Sequence, residues 1–242
     1  MIRAGGAAVS TPPAQGGDGG ANPTPALQPR DLLLCEILPR VAADLIVRRH
    51  YLHAMCAGTR LCLGVFAGGR LLGTIALNAG PIAAPKLVGG ATTHDTLTLA
   101  RLWLADELSA NSESRVLGLL VRLLRRHTAV RFLVSYADPA AGHVGTVYQA
   151  AGWLNTGTSE AQPLMSLDGG PPRHTRSIAS VAGTHSAAFF RQQGMAVELV
   201  PTIPKHRYLV FVDPTWRDRL RAPVLPYPKK EAEPDGSARR SD

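Results

Sequence analysis

The chain has 242 residues, a formal net charge of +8 and a hydrophobic content of 45%. This length and apolar content suffice for one well-packed core, and the positive balance favours an anionic partner, either nucleic acid or an acidic membrane surface. No apolar run approaches the roughly 18 residues needed to span a bilayer, and the first residues lack the apolar segment of a secretory signal. We therefore expect a cytoplasmic protein that does not cross a membrane.

The two ends of the chain differ in composition from the middle. Residues 1–29 are rich in Gly, Ala and Pro, and residues 229–242 are polar, so both are predicted to be disordered tails. A Gly-Gly-Pro-Pro run at residues 169–172 predicts a turn-rich break. We expect a core over residues 30–168 and a basic extension over residues 169–228 packed on it. The three cysteines form no CxxC motif, which favours reduced thiols in or near the core.

The first half of the chain predicts a short strand or helix, a longer helix and a hairpin. Residues 32–38 and 41–51 carry the first two elements. Two apolar runs, residues 61–66 and 71–77, flank the Gly-Gly pair within residues 67–70. A Gly-rich turn between two such runs is typical of a β-hairpin.

A strand, a helix and a second strand follow between residues 97 and 136. The mixture of β-branched, aliphatic and aromatic residues at 97–104 and 130–136 is typical of buried strands. Between them, apolar residues recur at three- and four-residue spacing from Val116 to Leu124, which predicts an amphipathic helix ending near His127. Two strands separated by a helix suggest a βαβ unit. Residues 142–151 then predict a short helix closed by Gly152.

The loop at residues 109–114 precedes the long helix and has two interpretations. A helix start presents unpaired amide groups and a partial positive charge, so it binds phosphate, and Ser112, Ser114 and Arg115 are placed to add contacts. The alternative is that Asn111 or Ser112 only caps the helix.

The order of elements and the segment Tyr148-Gln-Ala-Ala-Gly-Trp153 resemble the core of the Gcn5-related N-acetyltransferase superfamily. The resemblance implies an α/β fold with a mixed central sheet flanked by helices, a bound acyl-coenzyme A, and Tyr148 facing the thioester sulfur. The usual Arg/Gln-x-x-Gly-x-Gly/Ala pyrophosphate loop is absent, and residues 111–118 stand in its place.

A narrower resemblance explains this departure. The segments Arg101-Leu-Trp-Leu, Asn111-Ser-Glu-Ser-Arg115, Ser135-Tyr-Ala-Asp-Pro and Gly142-His-Val-Gly-Thr-Val-Tyr148 resemble the Mom family of phage DNA-modification proteins, over roughly residues 33–227. The resemblance implies conversion of the N6 amino group of adenine in double-stranded DNA to a carbamoylmethyl group, which protects phage DNA from restriction. It also implies acetyl-coenzyme A, or another acyl-coenzyme A, and iron(II) as cofactors, and the host cytoplasm as the location.

The resemblance also implies a set of site residues. The expected catalytic residues are His50, Tyr51, Arg101, Asp138 and Tyr148. The expected cofactor-binding residues are Asn111, Ser112, Ser114 and Arg115, and His50 and Asp138 are the expected iron ligands. By residue type alone His143, His185 and His206 are equally available to a metal.

Two of these residues have alternative interpretations. Asp138 either holds the adenine amino group, acts as a general base or binds a metal, or it only caps an Asp-Pro turn. Arg101 stands in an apolar strand and needs a partner, which is either Asp138 or a substrate carboxylate or phosphate.

Positive charge is concentrated near the C-terminus. Residues 171–230 hold ten Lys or Arg against three acidic residues, which accounts for +7 of the total +8. Such a segment predicts phosphate contacts, and Phe190, Tyr208, Trp216 and Tyr227 are candidates to stack on an exposed base. Two other functions stay open: an ordinary N-acetyltransferase acting on a small-molecule or protein amine, and a DNA-binding protein without catalysis. The oligomeric state is not predicted.

Overall fold

The computed structural model describes residues 27–229, so the predicted tails lie outside the described residues except for residues 27–29 and 229. The strands of the described chain are β1 (Leu33–Glu36), β2 (Thr59–Ala67), β3 (Arg70–Asn78), β4 (Thr96–Leu104), β5 (Phe132–Ala137), β6 (Leu154–Thr158), β7 (Leu164–Leu167), β8 (Arg173–His174), β9 (Val197–Val200) and β10 (His206–Phe211). The α-helices are α1 (Pro39–Arg49), α2 (Ser112–His127), α3 (Thr146–Ala150), α4 (Thr175–Ala182) and α5 (Ala187–Gln192). Four 3₁₀ helices span Pro29–Asp31, Ala84–Leu87, Pro139–Ala141 and Pro214–Arg219.

Seven strands form the central sheet in the order β1-β2-β3-β4-β5-β10-β6. Every neighbouring pair is antiparallel except β4 and β5, which are parallel. The predicted mixed central sheet flanked by helices is therefore confirmed. The βαβ unit is confirmed as well, because α2 connects the two parallel strands. The hairpin of β2 and β3 turns at Gly68 and Gly69, both at positive φ, where glycine avoids the steric cost of a side chain.

The C-terminal segment contributes to the interior of this sheet. Strand β10 lies between β5 and β6 and pairs with both, and Tyr208 and Leu209 within it are fully buried. The sheet is thus completed by residues that follow the predicted break at 169–172. That break is the turn between β7 and β8, which belong to a second sheet.

The two faces of the central sheet are covered by different elements, because side chains alternate along each strand. Leu133 of β5 packs with the buried side of α2, whereas Phe132 and Val134 face the opposite way. On that second face, α1 packs over β2 and β3, and the 3₁₀ helices Ala84–Leu87 and Pro214–Arg219 cover β5 and β10.

A small second sheet of order β8-β7-β9 follows β6 in the chain and precedes β10. Helices α4 and α5 pack on it around Met165, Ile178 and Phe190. The two ends of this unit meet at Ser159 and Lys205. The Lys205 amide donates to Ser159 Oγ, and the Ser159 amide donates to the Lys205 carbonyl oxygen.

None of the helices in the described part of the chain is long and apolar enough to cross a membrane. The cysteines are free, and only Cys62 is buried, whereas Cys56 is half-buried and Cys35 is exposed.

Candidate active site

Strands β4 and β5 separate before either strand ends. Their parallel pairing runs from Thr96 and Phe132 to Leu99 and Ser135 and then stops. At the same point the register between β3 and β4 shifts, because Leu99 lies opposite Leu77 while Arg101 lies opposite the adjacent Ala76. The extra residue in β4 makes a bulge, which bends a strand and ends its pairing. The carboxyl ends of these two central strands are therefore not paired with each other, and we call the space between them the cleft; α/β sheets bind ligands at this end of their strands.

Arg101 lies directly beyond this bulge. The register shift places it beside Ala76, on the face covered by α1. Its Nε donates to the carbonyl oxygen of Ala54 at 2.9 Å, and its Nη1 donates to that of Ala100 at 2.7 Å. The Arg101 guanidinium thus fixes the segment that follows α1, and the pairing with Asp138 that the sequence suggested is not formed.

Asp138 instead pairs with Lys205, with 2.7 Å between Oδ2 and Nζ. The pairing of β10 with β5 explains this partner, because His206 lies opposite Ala137 and brings Lys205 beside Asp138. The other carboxylate oxygen accepts from the amide of Ala140 at 3.1 Å and begins the 3₁₀ helix Pro139–Ala141. Asp138 therefore does cap its Asp-Pro turn, and it also presents an ion-paired carboxylate at the mouth of the cleft.

Three aromatic rings meet next to Asp138. His50 ends α1, and its ring stacks on Tyr51 with centroids 4.5 Å apart and an interplanar angle of 28°. The ring of His143 contacts Tyr51 in a T-shaped arrangement at 4.9 Å. Burial, together with the Asp138 carboxylate, raises the pKa of Tyr51 above its usual value of 10.

His50 is a neutral side chain at physiological pH. Its residue surface is only 7% exposed, and burial, with the positive charge of Arg101, lowers its pKa to about 4. Nδ1 accepts a hydrogen bond from the amide of Leu52 at 3.1 Å. In a neutral imidazole one nitrogen carries the proton, so this bond assigns the proton to Nε2.

As they are arranged, these side chains do not provide ligands for the iron ion that the family resemblance implies. Nδ1 of His50 is occupied by the Leu52 amide and Nε2 carries the proton, while Oδ2 of Asp138 is paired with Lys205. Within residues 27–229 no group of three or more His, Cys, Asp and Glu side chains gathers to hold a metal.

Tyr148 lies on the opposite face of the sheet, on α3, and packs against the core under α2. Its hydroxyl accepts a hydrogen bond from Ser135 Oγ at 2.7 Å, and the same Ser135 oxygen lies 2.8 Å from the carbonyl oxygen of Leu99. This chain of groups closes the inner end of the cleft, since Leu99 and Ser135 are the last paired residues. Burial raises the pKa of Tyr148 to about 12, with Tyr51 and Tyr208 adding to the increase, so the phenol stays protonated.

The start of α2 is an uncapped helix terminus. Asn111 occupies the N-cap position at a φ of 69°, and its side chain makes no capping bond. The hydroxyls of Ser112 and Ser114 donate to the carbonyl oxygens of Ser109 and Asn111. The capping interpretation of Asn111 and Ser112 is therefore wrong for their side chains. Two further groups of this loop, Ser109 Oγ and Arg115 Nε, are buried without a hydrogen-bond partner among residues 27–229.

The geometry is accompanied by a match to a protein family. A family model described as the Mom protein family matches residues 31–229. The chain belongs to the Mom protein family. It is 29% identical over 197 residues to the methylcarbamoylase Mom of Escherichia phage Mu, covering 78% of this chain and 80% of that protein. The family expected from the sequence motifs is confirmed, and with it the expectation of a DNA-modifying transferase.

Solved structures resemble this Mom-family chain more distantly. Spermidine N-acetyltransferase from Vibrio cholerae, in complex with coenzyme A and spermine, is 8% identical with a TM-score of 0.44 and covers 75% of this chain and 96% of its own. An N-acyl amino acid synthase from uncultured soil microbes is 16% identical with a TM-score of 0.43 and covers 78% and 95%. Both scores are below 0.5, so neither the fold nor the chemistry of this chain is inferred from these structures.

Three residues of the Mom-family cleft were not singled out as site residues from the sequence. Ser135 is the polar residue of an otherwise apolar strand, and that contrast is a usable signal. His143 was one of several histidines equal by residue type, and Lys205 was one of ten basic residues. Only the pairing of β5 with β10 brings Lys205 to Asp138, so no local pattern identifies it.

Of the four aromatic residues expected to stack on DNA, two are buried and two are at least partly exposed. Tyr208 and Phe190 are 0% and 3% exposed, so they are core residues and not stacking surfaces. Trp216 is half-buried beneath the guanidinium of Arg219, whose Cζ lies 4.5 Å from the ring centroid. Tyr227 is exposed, with its hydroxyl 3.0 Å from the Trp153 carbonyl oxygen.

Proposed function

We propose that this Mom-family chain modifies adenine in DNA by replacing one hydrogen of the N6 amino group with a carbamoylmethyl group. The observation that carries the proposal is the cleft between β4 and β5, which brings groups from both faces of the sheet to one point. Tyr148 and Ser135 reach it from the α2 face, and Tyr51 and Asp138 lie at its mouth. The relative in phage Mu is a methylcarbamoylase, which supports this choice of transferred group.

The start of α2 is the proposed site for the phosphates of an acyl-coenzyme A. Its first amide groups have no side-chain cap, and unpaired amides with a partial positive charge bind phosphate. Asn111, Ser112, Ser114 and Arg115 would hold the phosphates, the serines through their amides because their hydroxyls already donate to carbonyls. Ser109 Oγ and Arg115 Nε, which have no hydrogen-bond partner within the described residues, support a polar ligand here. When bound, acyl-coenzyme A would supply a two-carbon unit as a thioester. Converting this unit into a carbamoylmethyl group on N6 breaks the C–S bond and one methyl C–H bond, and it forms one C–N bond to N6 and one to an ammonia-level nitrogen donor. The reaction therefore also passes two electrons to an oxidant and releases coenzyme A as the thiol.

The side chains of the cleft account for the proton movements. N6 of adenine loses one proton when it forms a bond to carbon, and the Asp138 carboxylate is the proposed acceptor. Lys205 holds this carboxylate in place at 2.7 Å. Tyr148, protonated because its pKa is about 12, is the proposed hydrogen-bond donor to the thioester group. Ser135 orients the Tyr148 hydroxyl.

DNA is the proposed macromolecular substrate, bound through exposed arginines. Arg217, Arg219 and Arg221 lie in or just after the 3₁₀ helix Pro214–Arg219, on the same face as α1. They follow β10, which runs antiparallel to β5, so they lie about 20 Å from Asp138, the length of a six-residue strand. Phosphate contacts at that distance leave room for one base to leave the duplex, and chemistry at N6 requires such extrusion.

Mass spectrometry of DNA nucleosides tests the proposal. Plasmid DNA from cells that express the intact chain is digested and compared with DNA from cells that express Asp138→Asn. The proposal predicts a deoxyadenosine heavier by about 57 Da, the mass of C2H3NO, that maps to the base on fragmentation and is lost with Asp138→Asn. Unmodified DNA in the presence of soluble, folded wild-type protein contradicts the proposal.

A further inference from the structure

The side chains of His50, Tyr51 and His143 form an aromatic cluster at the mouth of the cleft. Two of its rings, those of His50 and Tyr51, directly follow α1, and the third follows β5, more than 90 residues later. The contacts of 4.5 Å and 4.9 Å that join them are within the range of favourable aromatic pairs. Such pairs fix the orientation of the middle ring, which is that of Tyr51.

Tyr51 differs from His50 in how much of its ring is open to solvent. His50 beneath it is 7% exposed, whereas Tyr51 is 48% exposed. Its hydroxyl makes no hydrogen bond to any residue in the described range 27–229, so no polar contact explains why the ring is held there. A large ring that is fixed by its neighbours and still half-open to solvent is suited to stack on a planar ligand.

The groups around Tyr51 indicate which planar ligand fits. Asp138 lies in the same turn as His143, whose amide donates to the Asp138 carbonyl oxygen at 3.0 Å and whose ring contacts Tyr51. A carboxylate accepts from an exocyclic amino group such as N6 of adenine. We propose that the ring of Tyr51, held by His50 and His143, is the stacking surface for the extruded adenine base. This inference rests on the proposed function, because it assigns the base-binding part of the same cleft.

The Tyr51 ring is expected to make a measurable contribution to base binding. Stacking of one base on an aromatic side chain contributes about 1–3 kcal/mol, which is about 5- to 150-fold in affinity. The ring of Tyr51 and not its hydroxyl supplies this contribution. His143 is a positioning residue, because it acts on the base only through the orientation of the Tyr51 ring.

The test uses two single-stranded oligonucleotides of equal length and the intact chain. One strand consists of abasic units only, and the other carries a single central adenine among abasic units, so adenine is the one base available to stack. The wild-type protein is expected to bind the adenine strand about 5- to 150-fold more tightly. Tyr51→Phe is expected to keep this ratio, and Tyr51→Ala to reduce it to about one without changing the affinity for the abasic strand.

Further variants keep the test decisive. Tyr51→Leu preserves apolar bulk without an aromatic ring and is expected to behave like Tyr51→Ala. His143→Ala is expected to lower the ratio partially, and His143→Phe to restore it. Phe189→Ala is the matched control, because Phe189 is 42% exposed on α5, outside the cleft, and its removal is expected to leave the ratio unchanged.

Two results overturn the inference: a base preference that persists in both Tyr51→Ala and Tyr51→Leu, or an equal loss of affinity for both strands. The first shows that another surface holds the base, and the second shows that Tyr51 supports the structure only. If modified adenine is nevertheless found in cells, the proposed function stands and only the stacking role fails. If the ratio depends on Tyr51 but no modified adenine forms, base binding stands and the proposed chemistry fails.

Discussion

Strand β5 has two neighbours, and it meets them in different ways. Six residue pairs join it to β10, from Phe211 and Phe132 to His206 and Ala137, so this ladder covers the whole strand. Four pairs join it to β4, and they stop at Leu99 and Ser135. Backbone groups beyond that point are free of sheet pairing on the β4 side. The closed ladder holds Lys205 beside Asp138, and the open side is where we propose that ligands reach the same carboxylate.

Two Asp-Pro turns have nearly identical local contacts but lie at different positions relative to the cleft. Asp138 and Asp213 each begin a 3₁₀ helix and each accept from the amide two residues later. Each also pairs with a basic side chain at 2.7–2.8 Å, Lys205 for the first and Arg131 for the second. Of these two residues, Asp138 alone lies at the open cleft, so the chemical role proposed for it rests on its position in the sheet and not on the turn motif.

The largest expected effect follows from this pair of turns. Asp138→Asn keeps the turn geometry and removes the proton acceptor, so we expect the amount of modified adenine to fall about 100-fold or more. Asp213→Asn is the matched control and is expected to keep most of the activity. Nucleoside mass spectrometry of plasmid DNA measures both. Equal losses in the two variants show that turn stability explains the effect and that Asp138 has no special role.

Tyr148→Phe tests the inner end of the cleft. The variant keeps the ring contacts with Trp153 and Tyr208, at 5.2 Å each, and removes the hydroxyl, so we expect about a 10- to 100-fold slower modification with unchanged DNA affinity. Ser135→Ala is expected to reduce the rate less, and the double variant to resemble Tyr148→Phe, because Ser135 acts through Tyr148. Single-turnover rates on plasmid DNA measure these effects. Full activity of Tyr148→Phe contradicts the assigned donor role.

The buried imidazole of His50 is expected to make the free energy of unfolding depend on pH. Its pKa is about 4 in the folded chain and about 6.5 when unfolded, so the unfolded state binds more protons between these values. Stability is therefore lost as the pH falls through this window, by about 2 kcal/mol between about pH 7 and pH 5. Urea unfolding of the wild type and of His50→Phe, which cannot titrate, measures this difference. An identical pH dependence of the two proteins shows that His50 is not neutral and buried.

The smallest expected effect concerns the exposed arginines far from the cleft. Replacing Arg217, Arg219 and Arg221 by alanine is expected to weaken DNA binding and to reduce the slope of log affinity against log salt by about 0.9 for each phosphate that the variant no longer neutralises. Arg70→Ala is the matched control, because Arg70 is exposed but already paired with Glu107. Fluorescence anisotropy with duplex DNA over a salt series measures the slopes. An unchanged slope places the DNA-binding surface elsewhere.

Much of the local structure was predictable because it depends on short-range patterns. The apolar spacing from Val116 to Leu124 predicted α2, and the Gly68-Gly69 turn predicted the hairpin of β2 and β3. The motifs around Arg101, Asn111 and Asp138 predicted the family, since motif identity requires no tertiary structure. The roles of the candidate site residues stay predictions, although the structure gathers His50, Tyr51, Asp138 and Tyr148 around one cleft.

The partners of these residues were decided by the tertiary structure alone. A one-residue shift in β4 moves Arg101 to the α1 face, away from Asp138, and the insertion of β10 between β5 and β6 gives Asp138 its lysine. Neither event leaves a local sequence pattern, because strand register and strand order depend on pairing between separate segments: Ala76 and Arg101 are 25 residues apart, and Ala137 and His206 are 69 residues apart. The sequence thus determined which elements form and which family they belong to, whereas long-range backbone pairing determined which charges meet and where the sheet opens.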